Sequence, residues 1–385
     1  MANECISENA GWSQWVDPLF QGVNSSSNVY FGTATDVPSW RAMLNTSTGW
    51  WPLDDASEQD DHNAPCTVVR PGKDRHTFYT RHNQSEFINH QRATTGIEYE
   101  DQGNITFPGA CTYASAMDYN NDIVLVTRTD NDTWRFKKSS GDWGTTWGGS
   151  KRLFAPSTTT GQKYYLRSPT STAGLYHIVF YGHPNGDWRG MTYGTVNLAD
   201  GKILKPSTGS TQVANLSGTN LPLNESSLDD IVPTTGTEVA RLYDVATVQG
   251  KPTVGYVKWD TPNSVLAQYY YAYLDGGTWH HVATGVMCGA SYYSSSHYYA
   301  GMAFDKVGNN KVAFGREASG TSYVDVYPID SSMAMGTKTE IKSDATYRLA
   351  KVKFAENSNK LYWGRLIEYV SFQDYRIHAW MEDFN

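Results

Sequence analysis

The chain has 385 residues, of which 14% are aromatic and only 18% are charged, and its formal net charge is −8. Proteins that bind nucleic acid normally carry a basic surface, so this acidic balance argues against that class. The sequence contains no apolar run of about 18 residues, so we expect no membrane span. Abundant aromatic residues and few charges suit an all-β domain, because aromatic side chains favour strands.

One phrase recurs along the chain: a polar turn, a short apolar strand and then a basic residue. Its copies are spaced by 46, 55, 75, 58 and 49 positions. A period of this size, built from short strands and turns, is typical of a β-propeller with one unit per blade. The six basic residues that end the phrase are His82, Arg128, His183, Lys258, Arg316 and Arg365.

In chain order, we interpret residues 1–27 as an entry segment and residues 28–33 as the inner strand of a first blade. The six repeats then supply six more inner strands, which predicts a single seven-bladed β-propeller domain over residues 1–385. The Ser/Thr/Asn/Gly-rich stretch 207–227 is expected to be a surface excursion, and residues 369–380 could close the ring. No segment keeps the apolar spacing of an amphipathic helix, so helices should be few.

A more specific motif lies between the second and third repeats. Residues 140–147, Ser-Gly-Asp-Trp-Gly-Thr-Thr-Trp, match S-x-D-x-G-x-T-W, the Asp-box of BNR-type propellers. As a hairpin turn, it should use Ser140 and Asp142 to bind backbone amides and Gly144 to adopt a positive φ. Trp147 should pack within the blade. This motif indicates a propeller fold and carries no information about chemistry.

If equivalent strands line one channel, their basic ends form a positive ring at one mouth, which predicts a polyanionic ligand. The densest cluster of polar residues near this mouth is Asp60-Asp61-His62-Asn63-Ala64-Pro65, followed by His82. Just as His62 precedes His82 along the chain, Tyr113 precedes Arg128. We therefore expect His62, His82, Tyr113 and Arg128 to converge. The alternative is that the histidines only form structural hydrogen bonds and that Arg128 braces two blades.

These residue types suit β-elimination from a uronate. The weakly acidic C5 proton leaves only if the neighbouring carboxylate is neutralised, and the planar guanidinium of Arg128 can bind a carboxylate through two hydrogen bonds. His82 and Asn63 could assist. A base must then take the C5 proton and an acid must protonate the leaving O4 oxygen. Tyr113 could serve as either or both, with His62 as its partner.

The segments 61–65, 78–82 and 113–128 resemble the BNR-4-type seven-bladed propeller polysaccharide lyases, closest to the ulvan lyase families. In those enzymes two His, a Tyr and an Arg on adjacent blades perform β-elimination on sulfated rhamnose–uronate chains. The resemblance implies that His62 and Tyr113 form the acid–base pair and that His82 and Arg128 neutralise the carboxylate. It covers about residues 54–190, and the chain has Ala114 where the family has Pro after the Tyr.

Other positions are weaker candidates. Substrate contacts further along the groove are predicted at Asn63, Tyr165, Arg167, His183, Arg189, Lys258, Arg316 and Arg365. His280, His281, Cys288 and His297 lie within 18 positions, but their spacing fits no standard metal motif. The sequence therefore assigns no ligands to a structural Ca or Zn ion. β-Elimination itself needs no organic cofactor. Four scattered cysteines do not make a disulfide scaffold.

The sequence thus predicts a polysaccharide lyase that cleaves an acidic, uronate-containing polysaccharide, with ulvan as the expected substrate, and leaves 4,5-unsaturated uronate ends. We expect a secreted monomer that binds an acidic polysaccharide and neither nucleic acid nor membrane, although residues 1–4 show no signal-peptide character. One alternative is a sialidase-like hydrolase, for which Glu98, Glu100 and Glu225 are available but lie outside the repeat positions. The other is a propeller that binds carbohydrate without cleaving it.

Overall fold

The structure is a computed structural model. It describes residues 4–10, 20–22, 29–37, 39–46, 49–54, 66–68, 74–83, 85–93, 100–119, 121–130, 133–155, 164–167, 175–182, 190–232, 234, 238–259, 267–291, 299–354, 360–371 and 374–383. Of these, residues 4–54, 164–167, 350–351, 369–377, 379 and 381–383 are described as strand backbone only.

The described residues form 29 β-strands and two short 3₁₀ turns, η1 (Pro206–Thr208) and η2 (Glu225–Ser227), without any α-helix. No helix in this part of the chain has the length and apolar character needed to cross a membrane. The strands are β1 (Glu4–Ala10), β2 (Phe20–Gly22), β3 (Val29–Val37), β4 (Ser39–Thr46), β5 (Gly49–Asp54), β6 (Cys66–Val68), β7 (Arg75–Tyr79), β8 (Ser85–Ala93), β9 (Glu100–Tyr119), β10 (Asp122–Thr129), β11 (Thr133–Lys138), β12 (Lys151–Phe154), β13 (Tyr164–Arg167), β14 (Leu175–Gly182), β15 (Met191–Asn197), β16 (Lys202–Lys205), β17 (Thr211–Asn215), β18 (Asp229–Val232), β19 (Val239–Val248), β20 (Lys251–Trp259), β21 (Gln268–Asp275), β22 (Thr278–Met287), β23 (Met302–Phe304), β24 (Lys311–Ala318), β25 (Thr321–Pro328), β26 (Thr339–Asp344), β27 (Arg348–Phe354), β28 (Lys360–Ser371) and β29 (Asp374–Asp383).

These strands pair into antiparallel sheets that follow chain order. Strands β2–β5, β19–β22 and β23–β26 each make a four-stranded meander, and β13–β17 make a longer one to which β18 adds by pairing with β15. Strands β6–β12 form one seven-stranded sheet, in which the long β9 ends one four-stranded unit and begins the next. The last sheet has the order β1-β29-β28-β27, so the first strand of the chain completes the sheet formed by the last three.

The prediction of an all-β propeller is confirmed by these consecutive meanders. The number of blades depends on how the seven-stranded sheet is divided: split within β9, it brings the blade-like units among the described strands to seven. The hydrophobic cores lie within and between neighbouring sheets. For example, one cluster joins Val126 and Trp134 to Ile178 and Val245 of the following sheets.

The prediction that the recurring phrase marks the inner strands is wrong. The six repeats lie on β7, β10, β14, β20, β24 and β28, each of which is the second strand of its unit and has a neighbour on both sides. First strands also meet across sheets, since β19 contacts β23 and β23 contacts β27, and the second strand β24 contacts β27 as well. Similarly, β3 over residues 29–37 is a second strand, preceded by β2.

Two segments predicted to lie outside the blades contribute strands. The predicted entry segment 1–27 contains β1, which pairs with β29 near the C-terminus, and β2 of the first meander. The pairing of β29 also agrees with the expectation that residues 369–380 help close the ring. The predicted excursion 207–227 contains β17, which extends its sheet by pairing with β16.

The Asp-box forms the turn between β11 and β12, with the predicted geometry at Asp142 and Gly144. The Asp142 carboxylate accepts hydrogen bonds from the backbone amides of Thr145 (3.2 Å) and Thr146 (2.9 Å), and Gly144 has φ +90°. The Trp143 indole nitrogen donates to the carbonyl oxygen of Asp74 at 2.7 Å, which ties the turn to the preceding unit.

Beneath this turn lies a buried pair of histidines. His76 Nδ1 and His90 Nε2 are 2.7 Å apart and share one hydrogen bond, with Trp143 edge-on to His76 and Trp147 edge-on to Phe78 and His90. Burial lowers the pKa of His76 to about 4 and that of His90 to about 3, because a charged imidazolium loses its hydration there. Both rings are therefore neutral at pH 7.

Since these pKa values are lowered from an unfolded value near 6.5, the unfolded chain takes up protons first as the pH falls. Stability should be intact above about pH 6.5 and decline toward pH 4, by up to about 1.4 kcal/mol per pH unit for each histidine. Urea unfolding between pH 7.5 and pH 4.5 checks this expectation. A His76→Gln/His90→Gln double variant should show a shallower decline, and an unchanged slope would contradict the assignment.

Candidate functional site

Tyr113 lies in a β-bulge where β9 pairs with β10. Thr112 faces Arg128 and Ser115 faces Val126, so Tyr113 and Ala114 together oppose the single residue between them on β10. Tyr113 has φ +68°, in the left-handed region where a bulky residue is strained and which, in a bulge, is usually occupied by glycine. Bulges next to functional sites re-aim a side chain, and this one directs Tyr113 toward Arg128.

Arg128 lies near the end of β10, directly against Tyr113. Its guanidinium carbon is 4.8 Å from the centre of the Tyr113 ring, and that ring stacks on Trp134 of β11 at 5.9 Å. Both side chains are 1% exposed. The structure thus brings together the tyrosine and arginine predicted from the sequence, as a packed cation–π pair below the surface.

His82 belongs to a tight corner after β7 that is fastened to Thr112, the residue before Tyr113. The amide of Asn83 donates to the carbonyl oxygen of Cys111 and to the hydroxyl oxygen of Thr112, both at 3.1 Å. The Thr112 hydroxyl in turn donates to the side-chain oxygen of Asn83. His82 itself is half-buried. This clamp places the His82 corner at the same seam between units as Tyr113 and Arg128.

Replacing Thr112 with valine should remove the clamp without changing the shape of the side chain. Thr112 is fully buried, so we expect the free energy of unfolding to fall by about 1–3 kcal/mol, the cost of taking the Thr112 hydroxyl donor away from the Asn83 side-chain oxygen, while the Asn83 amide keeps the carbonyl oxygen of Cys111. Urea denaturation measures this loss. The exposed Thr339→Val change on β26 should alter stability by no more than about 0.5 kcal/mol. Equal effects at the two positions would argue against the clamp.

The other basic residues of the repeat are paired with carboxylates. Lys258 is 2.8 Å from Glu238, while Arg316 donates to the buried Asp325 and Arg365 to the buried Asp344. The guanidinium carbons of Arg316 and Arg365 also lie over tyrosine rings, at 3.9 Å and 4.6 Å. The charges at these three positions are therefore balanced locally, which differs from the continuous positive ring expected from the sequence.

Several predicted residues lie outside the part of the chain with described side chains. For Tyr165 and Arg167 the structure gives only their place on β13, paired with Tyr181 and Val179. The remaining predicted residues outside the described ranges are His62, Asn63, His183, Arg189 and His297.

The histidine and cysteine candidates for a metal site are directed apart where they are described. His280 stacks on Tyr273 at 5.1 Å, whereas His281 on the opposite face of β22 hydrogen-bonds Tyr256 at 3.0 Å. Cys288 is buried, and burial raises its pKa well above the usual thiol value. In the described ranges, no group of three or more His, Cys, Asp or Glu side chains could hold a metal ion.

Sequence reasoning missed Thr112 and Asn83, which fasten the seam, and Trp134, on which Tyr113 stacks. Asparagine tolerates the left-handed conformation, and Asn83 has φ +52°, so its place in a polar turn was a usable signal. Nothing in the sequence links Thr112 to a residue 29 positions earlier. That contact depends on how two neighbouring units meet.

No family model and no curated protein matches this sequence. Among solved structures, the polysaccharide lyase Uly1 is similar over 100% of this chain and 99% of its own, with a TM-score of 0.61 and 12% identity. A puromycin-hydrolysing peptidase from Mycobacterium tuberculosis matches 94% of this chain but only 52% of its own, at TM-score 0.53 and 12% identity. The GH93 α-L-arabinofuranosidase of Fusarium graminearum gives TM-score 0.47 at 8% identity, covering 84% of this chain and 93% of its own. At these identities the likeness shows a shared fold alone, and the chain is a β-propeller.

Proposed function

We propose that this protein is a polysaccharide lyase that cleaves an acidic, uronate-containing polysaccharide by β-elimination, with ulvan as its substrate. The observation that carries the proposal is the strained bulge that directs Tyr113 against Arg128. Backbone strain of this kind costs about 1–3 kcal/mol and clusters at functional sites. The full-length likeness in fold to the polysaccharide lyase Uly1 supports the same class of reaction.

In this proposal, Arg128 neutralises the uronate carboxylate, and the clamped His82 corner assists. With the carboxylate neutralised, the C5 proton becomes acidic enough to be removed. Tyr113 or His62 takes that proton, the C4–O4 bond breaks, and the electron pair of the C5–H bond becomes the C4=C5 double bond. The other member of the pair protonates O4. No water is consumed, and the product carries a 4,5-unsaturated uronate at its new end.

The burial of the pair adds a requirement to this mechanism. Because Tyr113 and Arg128 are each 1% exposed, the side chains that cover them must move for a uronate to reach the guanidinium. Binding energy from the rest of the polymer would drive this opening. The anionic groups of the polysaccharide would likewise compete with the carboxylates that now pair with the repeat's basic residues. These pairs are Lys258 with Glu238, Arg316 with Asp325 and Arg365 with Asp344. A polymer substrate implies that the enzyme acts outside the cell.

The test is to incubate the protein with ulvan and with other uronate polysaccharides, following the ultraviolet absorbance of the unsaturated uronate and the release of reducing ends. The proposal predicts that both signals rise together with ulvan. Reducing ends that appear without the absorbance would mean hydrolysis and would overturn it.

A second candidate, a propeller that binds acidic carbohydrate without cleaving it, is favoured by that same burial of Tyr113 and Arg128. Retention on an ulvan column without absorbance or reducing ends, even after long incubation, would support the binding function in place of the lyase.

A further inference from the structure

A second polar cleft lies far from the seam that holds Tyr113 and Arg128. It has a volume of about 550 Å³ and opens between the β9–β12 unit and the turns around β16 and β17. Asp122, at the start of β10, lines this cleft, whereas Arg128 lies near the end of the same strand. Six residues of strand separate the two, about 20 Å. The cleft and the candidate catalytic site therefore lie at opposite ends of the blade.

Most charges in the cleft are balanced by a neighbour. The Lys138 ammonium is 3.2 Å from the Asp122 carboxylate, whose other oxygen accepts a hydrogen bond from the Ser139 hydroxyl at 3.1 Å. On the opposite wall, the Asp200 carboxylate is 2.6 Å from the Lys202 ammonium. These carboxylates are already bound by protein groups, so the walls have little tendency to attract a cation.

Lys151, the first residue of β12, is the exception. Its ammonium donates across the cleft to the carbonyl oxygen of Ser217, and it has no carboxylate within ion-pair distance among the described residues. The side chain is exposed. A lysine whose partner is a neutral carbonyl leaves one uncompensated positive charge, which favours an anionic group on a ligand.

The rest of the lining suits a sugar ring. The Tyr119 ring supplies an apolar surface, with the Lys138 ammonium 5.4 Å from its centre, while Ser140 and Ser217 supply hydroxyl groups. Pyranose rings present C–H faces that pack on aromatic rings and hydroxyls that bind polar side chains. A cleft of this volume is within the range of small-ligand sites.

We infer that this cleft is a second binding site, which takes an acidic saccharide unit with its carboxylate on Lys151. The inference does not depend on the proposed lyase activity, because a non-catalytic propeller could use the same cleft. It assigns to this surface a role in holding an acidic polysaccharide away from the seam at Tyr113.

The test uses a glucuronate-containing disaccharide and the same disaccharide with its carboxyl group reduced to an alcohol. Backbone amide shifts of Gly141, Gly148 and Gly149, which line the cleft, are followed by NMR during titration. The charged disaccharide should shift these amides saturably, and the reduced one should bind at least tenfold more weakly. Lys151→Gln should weaken the charged ligand by about tenfold, since it removes one charge-assisted hydrogen bond.

The matched control is Lys342→Gln on β26, which removes one positive charge elsewhere and should leave the affinity unchanged. The amide spectrum of Lys151→Gln away from the cleft shows whether the variant is folded. Absence of saturable shifts, equal binding of the two disaccharides, or an affinity that Lys151→Gln does not change would each overturn the inference.

Discussion

Replacing Tyr113 with phenylalanine should lower kcat on ulvan by about 10²–10⁴-fold, the usual contribution of a general acid or base. The change removes only the hydroxyl group and keeps the ring, so its stacking on Trp134 and its contact with Arg128 should persist. The fold should therefore be retained, as measured by near-ultraviolet circular dichroism. Initial rates of unsaturated-uronate formation give the loss of activity.

The matched control is Tyr273→Phe on β21, whose ring stacks on His280 and lies in neither the seam at Tyr113 nor the second cleft. It also removes one tyrosine hydroxyl and keeps the ring, and the rate should stay within about twofold of the wild-type value. If Tyr113→Phe were as active as this control, Tyr113 would be a packing residue, and the mechanism would have to be carried by other groups.

Replacing Asp244 with alanine should cost about 3–5 kcal/mol of unfolding free energy, the expected penalty for leaving buried charges without their partner. Asp244 of β19 lies 2.7 Å from the ammonium of Lys306 and 3.2 Å from that of Lys353, and it also accepts the amide of Phe304 at 2.7 Å. The carboxylate is almost fully buried. It therefore joins three consecutive sheets where their first strands meet.

Urea unfolding of Asp244→Ala is compared with that of Asp275→Ala. Both variants remove a carboxylate that pairs with a lysine, but only Asp244 is buried, so the comparison isolates the effect of burial. Asp275 also pairs with a lysine, Lys251 at 2.8 Å, but its side chain is 53% exposed, so solvent screens the pair and its loss should change stability little. Should Asp244→Ala fail to fold, Asp244→Asn keeps the side-chain shape and reports the lost charge alone. Similar small losses at both aspartates would contradict the role given to Asp244.

The fold was predictable because the repeat falls on the best-buried strands. All eight residues of β10 are buried, and β14 is nearly so, since a second strand is covered by neighbours on both sides. Two of the first strands, β6 and β23, leave a much weaker pattern because they have only three residues each, although the first strand β19 is long and buried. The same asymmetry explains why the second strands were taken for the inner ones.

The candidate site was predictable only in part. Tyr113 and Arg128 meet as expected, because they lie on the consecutive strands β9 and β10, which pair directly. Their burial was not foreseeable, since it depends on how neighbouring units pack. The carboxylate partners of Arg316 and Arg365 come from β25 and from the end of β26, and strand register across a sheet is not visible in a period of basic residues. The His76–His90 pair was missed for the same reason.

The most direct test of β-elimination is the mass of the products formed when ulvan is digested. The proposed mechanism consumes no water, so each product that carries a new non-reducing end should be lighter than the corresponding hydrolytic product by one water. Products of full hydrolytic mass would contradict the account, and the propeller would then be a glycoside hydrolase.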